Sequence, residues 1–289
     1  MSTLRLFPFL VVLLSSCSIQ YYPGNPDWKS LSAQAAKHQP LVSAHRGGRY
    51  LNGYPENALE TFQYLHQQLK TQIIEFDVAM TADSHLVVMH DSTLQRTTSC
   101  KGPLRAYTLA SLNRCRLVLP DSSATDYHIP SYEEILDWAK DQQVLWTVDR
   151  KAGVPWNLLA EPIRRMKLQD RMALITYTLE DAVEVHQLYP DLYLSVTIRS
   201  LPELNAYLDA GVPTNRMLAF TGTEWTDNKQ LLKKLDKLGI PAMLGTLGKL
   251  DKEILAKKPS RYKFYVRKGI DIIATDYPLE AARGLGKAM

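Results

Sequence analysis

The feature that most constrains the fold is an alternation of short apolar runs with amphipathic stretches, which continues from about residue 40 almost to the end of the chain. Strands that alternate with helices predict a parallel sheet. Eight strands interleaved with helices fit a closed (β/α)8 TIM barrel better than an open sheet. The predicted strands are residues 41–44, 73–78, 144–148, 172–175, 192–196, 217–220, 242–244 and 270–274. The predicted helices are residues 58–68, 132–142, 155–166, 179–188, 201–210, 228–238 and about 251–257.

A single domain over residues 40–289 accounts for this pattern. A chain of 289 residues could form two domains, but α/β barrels of about 250 residues fold as one unit. The net charge of +4 is too small to imply a nucleic-acid partner, and no aromatic-basic binding motif supports one. Nothing in the sequence implies a protein partner.

Residues 1–16 are predicted to be a lipoprotein signal peptide. The run 6–14 is apolar except for Pro8. It is too short to span a bilayer, which takes about 20 apolar residues, but it suits the core of a signal peptide. It leads into Leu14-Ser15-Ser16-Cys17, which resembles a bacterial lipobox with Cys17 as the lipidated residue. The alternative is an ordinary signal peptide with an incidental cysteine.

Export as a bacterial lipoprotein would place the protein on the periplasmic or cell-surface face of a membrane, with the outer membrane among the candidates. No other run reaches transmembrane length, so membrane attachment would depend on the lipid at Cys17. Residues 17–39 are polar and punctuated by proline and glycine at their start. They are expected to form a tether and a first helix near residues 31–37.

One interval, about residues 91–130, interrupts the alternation and is predicted to be a small insertion at one mouth of the barrel, after the second barrel strand. A structureless loop of this length is uncommon in a compact domain, so the insertion should contain short strands or helices. It contains Cys100 and Cys115. In an exported protein these cysteines are candidates for a disulfide, and two unpaired thiols are the alternative.

Three carboxylates fall on or at the ends of predicted strands. Glu75 and Asp77 are two residues apart on the second strand, so both point to the same face. Asp149 follows the next barrel strand. Three converging carboxylates suit Mg²⁺ or Ca²⁺ better than a metal that prefers thiolates. A polar barrel lining, or a set of solvated carboxylates, is the alternative.

Two histidines and two cations also follow strands, where barrel enzymes carry their catalytic groups. His45 and His90 suggest proton transfer near neutral pH. Arg46 and Lys151 would place positive charge in the same mouth, which suits a phosphoryl oxygen. The alternative is that the histidines are strand-end residues bonded to the backbone.

Together these residues resemble the signature of the glycerophosphodiester phosphodiesterase family. Nearly the whole chain after the predicted tether follows the order of the family's motifs. The N-terminal motifs are His45-Arg46-Gly47, Pro55-Glu56-Asn57, Glu75-Phe76-Asp77-Val78, Thr81-x-Asp83, His90-Asp91 and Arg96-Thr97-Thr98. The later motifs are Ile129-Pro130-Ser131-Tyr132-Glu133-Glu134-Ile135, Asp149-x-Lys151 and the segment 269–278.

The resemblance implies a TIM barrel with an insertion and a metal-dependent hydrolysis of glycerophosphodiesters to an alcohol and sn-glycerol 3-phosphate. Residue by residue, it implies an acid/base pair, a set of metal ligands, two phosphate contacts and two residues that border the site. In that order they are His45 and His90; Glu75, Asp77 and Asp149; Arg46 and Lys151; and Glu56 and Asn57.

The sequence departs from the family in two places. Ser84 stands where the family usually has glycine, in a predicted turn. The seventh strand, residues 242–248, lacks the aromatic residue that family members typically carry there. The second departure concerns the part of the site that would contact the alcohol.

Two other functions are compatible with parts of the sequence. A phospholipase-like enzyme would act on intact lipid, and the basic tract 249–268 would then contact anionic headgroups, although a solvated helical face also explains that tract. A non-catalytic binding lipoprotein would retain the fold without the chemistry. No histidine or metal-site carboxylate of the family pattern is missing, which argues against it.

Overall fold

The computed structural model describes residues 27–30, 40–69 and 73–287. Its strands are β1 (Leu41–Ala44), β2 (Ile73–Met80), β3 (Leu86–Val88), β4 (Arg116–Val118), β5 (Ala124–His128), β6 (Leu145–Arg150), β7 (Met172–Thr176), β8 (Tyr193–Thr197), β9 (Met217–Phe220), β10 (Ala242–Gly245) and β11 (Ile272–Thr275). Its helices are α1 (Leu59–Gln68), α2 (Leu109–Leu112), α3 (Tyr132–Ala139), α4 (Trp156–Arg165), α5 (Leu179–Leu188), α6 (Leu201–Asp209), α7 (Lys229–Leu238), α8 (Lys249–Lys257), α9 (Tyr262–Arg267) and α10 (Pro278–Leu285).

Eight parallel strands close into a barrel, so the predicted (β/α)8 fold is confirmed. β1 pairs with both β2 and β11, which closes the sheet, and the order between them is β2, β6, β7, β8, β9, β10, β11. β2 extends two residues beyond its predicted end because residues 78–80 pair with the antiparallel strand β3. The structure adds two helices, α9 and α10, that the sequence pattern does not predict.

Polar caps start several helices directly after the loops at the carboxyl ends of the strands. The side chains of Thr178, Ser200 and Asn228 each accept a hydrogen bond from a backbone N–H in the first turn of α5, α6 and α7. Such a cap satisfies an amide that would otherwise lack a partner. These caps fix where each loop ends, and therefore the shape of the mouth that the loops surround.

The amino-terminal end of the barrel is filled with apolar side chains. Trp28 is wholly buried there, in a cluster with residues at the starts of the strands, and its ring centroid lies 6.4 Å from that of Tyr193. The backbone N–H of Trp28 donates to the carbonyl of Asp170 at 2.9 Å. With this end closed, the carboxyl ends of the strands form the accessible mouth. The helix predicted near residues 31–37, the signal peptide and Cys17 lie outside the described residues.

The insertion has a small fold of its own. Between residues 91 and 130 it contains α2 and the antiparallel pair β4–β5. Leu94, Leu104 and Leu117 are buried in a separate apolar cluster beneath it. Cys100 and Cys115 form a disulfide with their Cα atoms 5.5 Å apart. Within the described ranges, no helix combines the length and the apolar character needed to cross a membrane.

Candidate active site

The turn after β1 brings the first catalytic candidate to the mouth. Residues 45–47 form a tight 3-10 turn in which Arg46 adopts a left-handed conformation with φ 55°. Its backbone N–H donates to Oε2 of Glu75 at 2.7 Å. Gly47 has φ 74°, and a Cβ atom at this position would lie 2.6 Å from the Phe62 ring. The turn therefore needs glycine at position 47 to place His45 and Arg46.

The three predicted metal ligands converge. Glu75 and Asp77 lie on β2, and Asp77 is in register with Asp149 on β6. All three residues are buried, and one carboxylate oxygen from each lies within 4.8 Å of the others. The period-two expectation for Glu75 and Asp77 therefore holds in the structure.

The electrostatics of this triad favour a bound cation. Burial, followed by the charges of Asp77 and Asp149, raises the pKa of Glu75 well above its ordinary value. Burial also raises the pKa of Asp149. A divalent cation would relieve the repulsion that produces part of these shifts. Three carboxylates are a hard oxygen donor set, so the residues fit Mg²⁺ or Ca²⁺.

The two predicted phosphate-binding cations both contact carboxylates of the site. Nζ of Lys151 lies 2.5 Å from Asp77 and 2.6 Å from Asp149. Arg46 is buried, with Nη1 donating to Glu56 at 2.8 Å and Nε 3.4 Å from Asp77. Burial raises the pKa of Asp77, but Lys151 and Arg46 outweigh it and lower the net value. Both cations therefore form ion pairs with carboxylates of the triad, and their contact with phosphate stays a prediction.

His45 is held by a buried carboxylate. Its Nδ1 lies 2.7 Å from Oδ1 of Asp276, which is 1% exposed and directly follows β11. This contact fixes the ring orientation and leaves Nε2 for proton transfer. Asp276 is itself fixed, because its backbone N–H donates to the buried carboxylate of Asp251 at 2.9 Å.

His90 follows β3 and has a more exposed partner. Its Nδ1 lies 2.7 Å from Oδ1 of Asp91. Arg96 in the insertion donates to both oxygens of Asp91, at 2.6 and 2.9 Å. Burial lowers the pKa of His90, and the charge of Asp77 only partly opposes this. A neutral imidazole near pH 7 is suited to accept a proton.

The predicted bordering residues have defined contacts. Asn57 adopts a left-handed φ of 60°, and its Nδ2 donates to Asp77 at 2.7 Å, so it orients one carboxylate of the triad. Glu56 accepts hydrogen bonds from Arg46, Arg49 and Arg96.

Sequence reasoning assigned no role to Asp276, Arg49 or Arg96. The signal for Asp276 was its place directly after the last barrel strand, where this fold carries functional groups. Arg96 was part of a motif quoted for the family, but no role followed from it. Arg49 lies outside every motif, and no sequence signal singles it out.

The opposite side of the mouth is mostly apolar. A cavity of about 100 Å³ extends from His45, Glu75 and Asp149 towards side chains of the later strands. Those side chains are Ile175, Tyr177, Ser195, Thr197, Phe220, Met243 and Leu247. The seventh barrel strand, β10, indeed lacks an aromatic residue. Phe220 on β9 covers Gly245 instead, since a Cβ atom at Gly245 would lie 3.0 Å from its ring. The aromatic surface of this wall therefore comes from the neighbouring strand.

The family model for the glycerophosphoryl diester phosphodiesterases matches residues 45–274, which include both histidines, the acidic triad and most of the strand that leads to Asp276. The chain belongs to this family. Its members hydrolyse phosphodiesters, and the protein is accordingly a phosphoric diester hydrolase of the glycerophosphodiester phosphodiesterase type.

Individual relatives are similar to this family member in sequence and in fold. The glycerophosphodiester phosphodiesterase of Bacillus subtilis (strain 168) is 28% identical over 209 residues, which cover 62% of this chain and 69% of that protein. A solved glycerophosphoryl diester phosphodiesterase from Parabacteroides distasonis is 28% identical, with a TM-score of 0.79 over 88% of this chain and 91% of that chain. An Oleispira antarctica phosphodiesterase, solved with its product sn-glycerol-3-phosphate, shares the fold at 20% identity, with a TM-score of 0.65 over 88% of this chain and 99% of that chain.

Proposed function

We propose that this enzyme hydrolyses glycerophosphodiesters to an alcohol and sn-glycerol 3-phosphate, with a divalent metal and with His45 and His90 as acid/base pair. One observation carries the proposal. His45 lines one cavity with Glu75 and Asp149, the charge of Asp77 acts on His90, and each histidine has Nδ1 hydrogen-bonded to a carboxylate. This arrangement leaves Nε2 of each ring for a proton. The name of the Bacillus subtilis relative and the product bound to the Oleispira antarctica relative support the choice of substrate.

The residues that would hold the metal are Glu75, Asp77 and Asp149. When bound, Mg²⁺ or Ca²⁺ would supply Lewis-acid polarisation of a phosphoryl oxygen. Asn57 keeps Asp77 oriented for this task, and Lys151 adds a fixed positive charge beside the same oxygens.

Proton transfer is assigned to the histidines. One removes a proton from the nucleophile, and the other donates a proton to the leaving alcohol oxygen. Asp276 and Asp91 stabilise the imidazolium that each transfer produces or consumes, and they fix the ring tautomer. The nucleophile in this scheme is water or the neighbouring glycerol hydroxyl of the substrate.

A second candidate, hydrolysis of intact lipid at a membrane, is favoured by a cationic surface. We define this surface as the lysines and arginines of residues 249–268, a segment with 8 basic and 2 acidic residues in a chain of net charge +4. Among the described residues, Lys268 is the member of this segment that forms an ion pair, with Asp227 at 3.2 Å. Phe264 of this segment is 44% exposed, and its ring packs against Trp225, which lies outside the segment. Lysines around an exposed aromatic ring suit an anionic lipid surface.

Lipidation of Cys17 and export to a membrane face also remain proposals, supported by the lipobox-like sequence. Fatty-acid labelling of the wild type and of Cys17→Ser tests them. Label in the wild type alone supports the anchor, and an unlabelled wild type rejects it. No observation favours a non-catalytic binding lipoprotein, since both histidines and the whole triad are present in the described residues.

The proposed reaction is tested with a panel of substrates, with and without a chelator. Deacylated glycerophosphodiesters with different headgroups are compared with intact phospholipids in neutral and anionic vesicles. Release of sn-glycerol 3-phosphate from the deacylated compounds supports the first proposal. Preference for intact lipid, together with loss of that preference when Lys252 and Arg267 are replaced by glutamate, would favour the second.

A further inference from the structure

Glu56 has contacts that extend beyond the edge of the site. It lies between β1 and α1, is 7% exposed, and accepts hydrogen bonds from three arginines. Arg46 reaches Oε1 at 2.8 Å, Arg49 reaches Oε2 at 3.0 Å, and Arg96 donates to both oxygens at 2.8 and 3.0 Å. A single buried carboxylate thus faces three guanidinium groups.

Two of these arginines lead to the two histidines. Arg96 also donates to both oxygens of Asp91, the partner of His90. Arg49 also lies 3.7 Å from Oδ2 of Asp276, whose other oxygen contacts His45. We call this chain of contacts, from His45 through Asp276, Arg49, Glu56, Arg96 and Asp91 to His90, the Glu56 network. It is continuous within the described residues.

We propose that Glu56 is a positioning residue for both histidines. It holds Arg49 and Arg96 in place, and these arginines in turn contact Asp276 and Asp91, the partners of the histidines. The inference rests on the proposed two-histidine reaction. Glu56 itself touches neither histidine, and its effect passes through arginine and aspartate.

The charge of Glu56 is needed as well as its shape. Without it, Arg46, Arg49 and Arg96 would repel one another in a partly buried place, where Coulomb interactions are strong. They would then move apart or bind Asp91 and Asp276 more tightly. Either change would disturb the carboxylates that orient the imidazoles. The Glu56 network has two arms, one to His45 through Arg49 and Asp276 and the other to His90 through Arg96 and Asp91. The arms are unequal, because Arg96 donates two hydrogen bonds to Asp91 whereas Arg49 lies 3.7 Å from Asp276.

The primary variant is Glu56→Gln, which keeps the shape and removes the charge. We expect kcat to fall about 10- to 100-fold, as for outer partners of catalytic ligands, with a much smaller change in KM. Glu203→Gln is a matched control, because Glu203 also pairs with an arginine, Arg199, but lies on α6 outside the site. It should leave kcat unchanged. Circular dichroism and Mg²⁺ titration of each variant establish folding and an intact triad.

A second readout separates the two arms. An aryl leaving group, as in a p-nitrophenyl phosphodiester, needs no proton from a general acid, so it restores a variant that has lost only the acid. Arg49→Gln should disturb His45 and Arg96→Gln should disturb His90. The aryl substrate should therefore restore one of these two variants and not the other. It should restore Glu56→Gln only in part, since that variant loses both arms.

The results distinguish this inference from the function on which it rests. If His45→Ala and His90→Ala turn over normally, the two-histidine reaction itself is wrong. If both are inactive while Glu56→Gln keeps the wild-type kcat, the reaction stands and the positioning role is refuted. Full restoration of Glu56→Gln by the aryl substrate would also refute it, because Glu56 would then serve one histidine. If Glu56→Gln does not fold, Arg96→Lys is the deciding variant. Lysine keeps the positive charge but lacks the planar guanidinium that donates to both Glu56 and Asp91, so the kcat of Arg96→Lys should fall as far as that of Arg96→Gln.

Discussion

The two halves of the barrel mouth differ in composition and in how their side chains are held. The charged half lies on or directly after β1, β2, β3, β6 and β11, and its groups are joined by ion pairs and hydrogen bonds; it includes His45, Glu56, Glu75, Asp77, His90, Asp149, Lys151 and Asp276. The apolar half lies on or directly after β7 to β10, and its side chains line the cavity. It includes Ile175, Phe220, Met243 and Leu247. From this difference we expect bond cleavage to depend on the first half and recognition of the substrate on the second.

The largest effect is expected from removing a metal ligand in the charged half. Asp77→Ala and Asp149→Ala should each abolish activity and metal binding together, because each removes an oxygen ligand from one small cation. Calorimetric titration with Mg²⁺ and Ca²⁺ measures the binding. Asp209→Ala, an exposed carboxylate on α6, serves as control. Normal metal affinity in either triad variant would separate the triad from the metal.

The histidines should show a different loss. His45→Ala and His90→Ala should each lower turnover by about two to four orders of magnitude, which is the usual contribution of positioned proton transfer. Both variants should still bind metal, since neither histidine belongs to the triad. Turnover and calorimetry on the same preparations test this split. Normal turnover in His90→Ala would rule out its role as acid or base.

The charged half should also be sensitive to acid through Glu56. Burial raises the pKa of Glu56, but Arg96 and Arg46 outweigh it and lower the value from 4.5 to about 2. Because the pKa of Glu56 is lower in the folded protein than in the unfolded chain, the charged carboxylate stabilises the fold above pH 4.5. That stability is lost as the pH falls towards 2. The contribution is about 3 kcal/mol. Urea unfolding at pH 6 and pH 3 should show a smaller loss for Glu56→Gln than for the wild type. Equal losses would contradict the shift.

The smallest effect is expected in the apolar half. Phe220→Ala should change the ratio of kcat/KM between two substrates by about tenfold, the scale for altering one apolar contact. Metal affinity should stay unchanged. Gly245→Ala, whose new Cβ would press on the Phe220 ring, should shift the same ratio. If Phe220→Ala instead loses metal binding, the two halves are not separable in function.

How much the sequence reveals follows the same division. The triad and histidines were predictable because charged residues are rare inside a barrel, and strand periodicity fixes their direction. Phe220 carries no such signal, since an aromatic residue on a barrel strand resembles any core residue. Its place over Gly245 depends on the packing of two neighbouring strands. The contact of Arg49 with Asp276 joins residues far apart in the chain, so no local pattern reports it.

The barrel itself was predictable from the alternation of elements, and the insertion from its interruption. The extension of β2 was not, because its last residues pair with β3, a contact that depends on the hairpin and not on local propensity. The short helices α9 and α10 were missed for a similar reason. Tyr262 and Tyr265 of α9 and Ala281 and Ala282 of α10 are buried, so tertiary packing stabilises both helices.

Metal dependence of the wild-type enzyme is the most direct test of the central claim. Hydrolysis of glycerophosphocholine is followed by release of sn-glycerol 3-phosphate, before and after exhaustive chelation, and again after Mg²⁺ or Ca²⁺ is restored. Activity should disappear with the metal and return with at least one of the two ions, because Glu75, Asp77 and Asp149 form a hard oxygen site. An enzyme that stays fully active after chelation would contradict the metal-dependent reaction.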